Sequence, residues 1–351
     1  MPGGTLDMAD LLATTSQLVI DFDENRIWEV FKRQLDAHNR IYRALAASYC
    51  EVTTKSLFGS GGVSDMTFAK VNEYGAPKAQ KVTAGQPMGL PLWLYNAGVQ
   101  WTRMFFQKTT VAALAAQFEA ILTADMRNLV YEIKSALMVP TNYSFTDESD
   151  PTQVVLPVKR LANADGFAIP TGPNGEVFDA STHTHYLGSA TLTNAALKGL
   201  IATVREHGNT GGIVVEINQA QEDTVRGLTD FKPYVDARIA MNNASAYAMG
   251  NLSFDNIYNR AIGLFDGATV WVKPWVPPNY EIARATEGRR PLGLRVPDKG
   301  PQDLIIAAED EAYPLRGRIW ERQIGVGVIN RVGAAVLYSA NSTYAAPTLA
   351  A

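Results

Sequence analysis

The chain has 351 residues, 46% of them apolar and only 19% charged, and its 31 Lys plus Arg stand against 35 Asp plus Glu for a formal charge of -4. That balance excludes a basic nucleic-acid binder of the usual kind, and so little charge leaves more surface than usual to be buried against neighbours. The single cysteine, Cys50, excludes an intramolecular disulfide framework and every paired-cysteine metal or redox motif.

The N-terminal stretch MPGGTLDMADLL has neither a basic leader nor a long apolar core, so no secretory signal is expected. No apolar run reaches the ~18 residues of a membrane span. A reducing cytoplasm without disulfide cross-links follows as the expected setting for assembly. Residues 24–49 read as the first amphipathic helix, with Ile27, Phe31, Leu35, Tyr42, Leu45 and Tyr49 on one side. Arg26, Lys32, Arg33, Arg40 and Arg43 fall among the other positions and read as a solvated face. Cys50, at the end of this helix, reads as a small buried apolar residue.

From 50 to 92 the chain is punctuated by Gly59-Ser-Gly-Gly62, Asn72-Glu-Tyr-Gly-Ala-Pro-Lys78 and Gly85-Gln-Pro-Met-Gly-Leu-Pro91. No Gly-Lys-Ser/Thr and no opening helix follow the glycines, which excludes a phosphate loop. Turns and bulges of a long hairpin are the expectation. Its return limb runs from Leu92 to Phe106, where Trp93, Tyr95, Val99, Trp101 and Phe105 alternate on one face that must pack against something. A very long helix then runs from the capping residues Thr109 and Thr110 to the stop at Pro140, striped by Val111, Leu114, Phe118, Ile121, Leu122, Leu129 and Ile133.

Residues 141–192 are loop-rich with short strands at Val154–Val158 and at the THTHY stretch. The acidic run Asp147–Asp150 lacks the spaced frame of a calcium loop and reads as a solvated turn. Within DASTHTHYL, His183 and His185 would share one face of an extended strand and grip an ion together. A third ligand is then required. His38 lies in the first amphipathic helix, and His207, ahead of Gly208, reads as helix C-terminal capping, so the expectation is no metal and a structural role for both strand histidines. An alternation follows: helix 193–207, strand Ile213–Ile217, helix 218–229 and strand Thr269–Trp275. The glycines of Gly208-Asn-Thr-Gly-Gly212 precede their strand, the wrong order for a dinucleotide site. The end is strand-rich, through Asp303–Ala307 and Gly317–Leu337, with Gly325-Val-Gly327 read as close strand packing. No nucleophile elbow, triad order, framed carboxylate pair or phosphate loop emerges, so no catalytic residue, cofactor or metal is expected.

The order of these elements, an N-terminal arm, a glycine-punctuated hairpin, one very long helix, a mixed region and a closing strand set, resembles the major capsid protein of tailed bacteriophages, the Hong Kong 97 fold. Ile262-Gly-Leu-Phe-Asp-Gly-Ala-Thr-Val-Trp-Val-Lys-Pro-Trp-Val-Pro-Pro278 is similar to the family's axial-domain strand, and Ile319–Leu337 to its late peripheral strands. The resemblance implies an α+β fold with an N-arm (1–50), an extended loop (51–107), a peripheral domain with the spine helix (108–190), an axial domain (191–310) and peripheral return strands with a tail (311–351). It implies a structural protein of the virion, not an enzyme, that self-assembles through hexamers and pentamers into an icosahedral head around double-stranded DNA. The mildly acidic charge fits a wall that must not hold phosphates tightly. Implied partners are a separate scaffolding protein, a portal protein and optionally a decoration protein, with no membrane. Trp93, Tyr95 and Trp101 are the candidate interface anchors. An inter-subunit isopeptide bond, known in some relatives, would draw on Lys70, Lys78 or Lys81 with Asn341; exposed polar side chains are the expectation there. The alternatives are an encapsulin-type nanocompartment shell and, in a different class, a metal-dependent enzyme using His183 and His185.

Overall fold

Two long helices set the frame of the computed structural model, which describes residues 6–59, 70–71, 73–75, 85–209, 211–234, 259–310 and 315–349. A first short helix, α1 (Met8–Ala13), precedes them and was not legible by periodicity because it is six residues long. Its start is fixed by a reciprocal cap: the Asp7 carboxylate accepts from the Asp10 amide and the Asp10 carboxylate from that of Asp7. Helix α2 (Glu24–Tyr49) has the expected bounds, buries Ile27, Phe31, Leu35, Tyr42 and Tyr49, and exposes all five basic residues of its other face. After the short α3 (Arg103–Lys108), the Thr110 hydroxyl accepts from the Ala113 amide and starts α4 (Val111–Met138). Its 28 residues span about 42 Å, and the predicted stripe is buried throughout. Phe31 of α2 stacks on Phe118 of α4 with ring centroids 4.3 Å apart. Two further helices are α5 (Asn194–Arg205) and α6 (Glu222–Arg226).

The strands run β1 (Cys50–Thr53), β2 (Leu57–Gly59), β3 (Pro87–Gly89), β4 (Trp93–Thr102), β5 (Tyr143–Thr146), β6 (Val155–Val158), β7 (Tyr186–Gly188), β8 (Ile213–Ile217), β9 (Phe231–Pro233), β10 (Arg260–Phe265), β11 (Ala268–Val272), β12 (Tyr280–Ala285), β13 (Leu292–Arg295), β14 (Ile305–Asp310), β15 (Leu315–Val328) and β16 (Ala334–Tyr338). A five-stranded sheet is ordered β1-β13-β15-β14 with β4 also on β15; a seven-stranded sheet is ordered β7-β16-β12-β8-β11-β10-β9. The fourteen-residue β15 pairs with β4 from Leu315 to Ile324 and then with β13 from Gly325 to Val328. Gly325 and Gly327 in this strand permit close approach, as expected: a Cβ on Gly325 would fall on the Pro91 carbonyl, and one on Gly327 would lie 2.5 Å from Leu90.

One core joins α1, the first half of α2, the first half of α4 and the inner side of β4 and β15. A second packs the far ends of α2 and α4 against both sheets, and a third packs α5 on the seven-stranded sheet. The expected division at 310/311 does not coincide with a division between sheets. β13 and β14 pair into the five-stranded sheet, while β16, beyond that boundary, lies between β7 and β12 in the seven-stranded one. Sheets recruit strands by pairing partners, and partners distant in sequence carry no local mark. Two smaller expectations also change. The stretch before β7 is not a strand: His183 lies in irregular chain after a turn and His185 in a bend, with an isolated Thr184–Asn163 bridge between them. Asp147 is not solvated: it is 2% exposed and its carboxylate meets Arg295 at 2.6 Å. No described helix is long and apolar enough to cross a membrane.

Candidate functional site

Buried charge marks where the elements are tied together. Arg322, at the middle of β15, has a side chain 1% exposed. Its guanidinium donates to both oxygens of Asp125 on α4 at 2.8 and 2.9 Å and to Asn39 on α2 at 2.8 Å. It also lies over the Tyr42 ring, 3.6 Å from the centroid. His38 Nε2 reaches the same Asp125 carboxylate at 2.7 Å, and the Asn39 amide exchanges two hydrogen bonds with the Leu304 backbone. His38 is therefore a buried partner in this node and not simply part of an apolar face.

A second node joins the end of α2 to the seven-stranded sheet. Glu216 on β8 is fully buried and accepts from the Tyr49 hydroxyl at 2.8 Å and from the Arg284 guanidinium at 3.0 and 3.1 Å. Arg284 also reaches the Ser48 carbonyl and stacks over Tyr49. A third, Arg331, bridges the carbonyls of Arg160 and Leu161 to Asp165. None of these nodes was predicted. A charged residue inside an apolar run, such as Arg322 in Ile319–Leu337, was the one available signal. Cys50 is buried as expected, and burial pushes its thiol up to about 12, which leaves it unreactive.

Among the described residues Glu281 on β12 hydrogen-bonds to no cation: Ser339 donates to one oxygen at 2.9 Å and the other oxygen is buried without a hydrogen bond. Burial lifts its pKa from 4.5 to about 8, with the Ser339 hydrogen bond pulling the other way. Between those values the unfolded chain releases a proton that the folded chain keeps. The stability contributed by this group is thus whole below about pH 4.5 and is lost as pH rises through 8. Glu281→Gln is expected to remove that loss, which is on the order of 3–5 kcal/mol. In thermal unfolding of wild type and variant from pH 5 to 8, the melting-temperature gap should move steadily in favour of the variant; a gap independent of pH would refute the assignment.

The histidines behave differently from expectation. His207 does not cap α5. The last-turn carbonyl of Val204 is taken by the Asn209 side-chain amide at 2.9 Å, and His207 instead turns toward the segment before β7. Its Nε2 lies 3.0 Å from His183 Nε2 and 3.1 Å from His185 Nε2. Glu206 Oε1 lies 3.7 Å from His183 Nε2 and 3.8 Å from His207 Nε2. The third ligand that the sequence did not supply is therefore adjacent. Burial holds the His185 and His207 imidazoles neutral, at about 3 and about 4, and lowers His183 as well.

The three aromatic anchors divide. Trp101 is 4% exposed, its indole N–H donates to Gln117, and it packs edge-on to Trp28, inside the chain's own core. Its position near the end of β4 turns it into the core between α2 and α4, which alternation alone does not reveal. Tyr95 is half-buried, with its hydroxyl donating to Glu132 at 2.8 Å. Trp93 is 44% exposed, and Leu94 beside it 55%. Among the described residues, β4 and β14 each pair with β15 alone and β1 with β13 alone, so the five-stranded sheet has three strands paired on one side only. Of the cross-linking candidates, Lys70 and Asn341 are exposed, while Lys78 and Lys81 lie outside the described residues.

No protein-family model and no curated protein matches the chain. Solved structures do. A chain of Mycobacterium phage Patience is 24% identical and superposes with a TM-score of 0.71 over 99% of this chain and 96% of its own. The capsid of a native GTA particle is 12% identical over 84% of this chain and 89% of its own, with a TM-score of 0.49. A holo-SrpI encapsulin complex from Synechococcus elongatus is 10% identical over 88% and 91%, with a TM-score of 0.46. The α+β fold is that of Hong Kong 97-type phage capsid proteins.

Proposed function

We propose that the chain is a major capsid protein, a structural subunit that assembles through hexamers and pentamers into an icosahedral phage head around double-stranded DNA. The observation that carries this reading is the agreement of fold with the phage Patience chain over nearly the whole length of both chains. The physical layout supports it. The open edges of β4 and β14 and the exposed Trp93 and Leu94 offer directional, repeatable contacts of the kind a closed symmetric assembly needs. Buried ionic nodes that lock α2, α4 and both sheets together suit a subunit that must hold one shape while bearing load from several neighbours. Scaffolding, portal and optional decoration proteins are the further partners of such a head, assembled in the host cytoplasm and retained in the virion.

The test is electron microscopy of the purified full chain, alone and co-expressed with its scaffolding protein. Six- and five-membered rings or closed shells are expected. A chain that stays monomeric in both conditions would overturn the reading, and small uniform shells filled with protein cargo would replace it by the nanocompartment.

A further inference from the structure

The group of His183, His185, Glu206 and His207 has no role in the ionic nodes or at the open strand edges. Its four ligand atoms lie within 4.8 Å of one another. Around a zinc ion with bonds of about 2.0–2.1 Å, ligand atoms at the corners of a tetrahedron sit about 3.3 Å apart. The two imidazole pairs at 3.0 and 3.1 Å are close to that edge, and the carboxylate at 3.7 and 3.8 Å stands a few tenths beyond it.

The protonation pattern is set from outside the cluster. His185 Nδ1 lies 2.7 Å from the Ala334 carbonyl, which can only accept, so Nδ1 carries the proton and Nε2 presents a lone pair to the centre. This is the outer hydrogen bond that orients a metal-bound imidazole. Without an ion, one of the two contacts of His207 Nε2 is left without a proton of its own, whichever of His183 and His207 is the donor. A cation between them satisfies all three lone pairs at once.

The surroundings are those of a closed site. His185 is fully buried, the His207 side chain is 1% exposed and that of His183 17%. Phe178 covers one side, with its ring 4.2 Å from that of His207 and 4.9 Å from that of His183, centroid to centroid. Glu206, 40% exposed, is the ligand that faces solvent.

We infer that His183, His185, His207 and Glu206 form a four-coordinate structural site for a divalent transition metal, zinc by its nitrogen-rich donor set, which locks the segment before β7 to the C-terminal end of α5. The four protein ligands leave no open position for a substrate, so the site is a clasp and not a reaction centre. It ties together two pieces of chain that both rest on β16, because β7 pairs with β16 and α5 packs on it.

The experiment uses the full chain without an affinity tag, stripped with chelator and titrated with Zn2+ alone. One Zn2+ per chain is expected, with a rise in melting temperature that chelator reverses. Co2+ in its place should give the intense visible absorption of a four-coordinate complex, and Zn2+ should abolish it. His207→Ala and His183→Ala should each weaken Zn2+ binding on the order of 100-fold, and Glu206→Gln by less. Absence of stoichiometric Zn2+ binding to the wild type, a weak octahedral Co2+ spectrum, or variants that bind as the wild type does would each overturn the assignment. The wild-type titration decides even if a variant fails to fold. Metal content per chain is the same readout in free subunits and in shells, so it stands or falls separately from the capsid function.

Discussion

Arg322→Ala is expected to cost about 3–5 kcal/mol, enough to leave little soluble subunit, because it strands the Asp125 carboxylate in the core with His38 as its remaining side-chain partner. The same change takes the donor from Asn39 and the cation from the face of Tyr42, so α2, α4 and β15 all lose their common partner. The magnitude comes from uncompensated burial and not from the worth of the pair itself. Arg322→Met combined with Asp125→Leu should therefore recover much of the loss, since a packed apolar pair replaces an ion pair whose desolvation was already costly. Soluble yield and thermal unfolding of the single and double variants measure this. A single variant as stable as the wild type, or a double variant no better than the single, would refute the node as described.

Deletion of Thr54–Pro87 with a short Gly-Ser bridge is expected to abolish assembly while leaving a folded subunit. Residues 60–69, 72 and 76–84 of this stretch lie outside the described residues. The flanks are held independently of it: β1 pairs in parallel with β13, and β4 pairs with β15 over ten residues. At the base, β2 and β3 pair antiparallel from Leu57–Gly89 to Gly59–Pro87, as the two limbs of a hairpin do. An arm laid over a neighbour is used once by every subunit, so its removal weakens all contacts of that class together. Far-UV circular dichroism and microscopy of the deleted chain test both halves. Closed particles of normal size, or a chain that no longer folds, would sink the idea.

Periodicity and capping made α2 and α4 legible almost to the residue, because a 3.6-residue repeat and a threonine ahead of it are written in neighbouring positions. The order of elements was enough to suggest the fold. The glycines of β15 announced a close approach, and the Pro91 carbonyl is what approaches. What the linear chain could not carry were meetings between distant positions. Asn39 and Arg322 are 283 positions apart, and only the packing of α2 on β15 makes them partners. Trp101 alternates in sequence with Trp93, yet one is buried and the other half-exposed, because burial depends on which helix covers that end of β4. The same holds for the histidines. His183 and His185 were visible as a pair two residues apart, but His207 looked like a helix end, and it becomes their neighbour through the docking of α5 onto the sheet that contains β7. Local pattern is set by bonded geometry and side-chain polarity along a few residues, whereas a site is set by which faces pack, and that is decided only when the whole core closes.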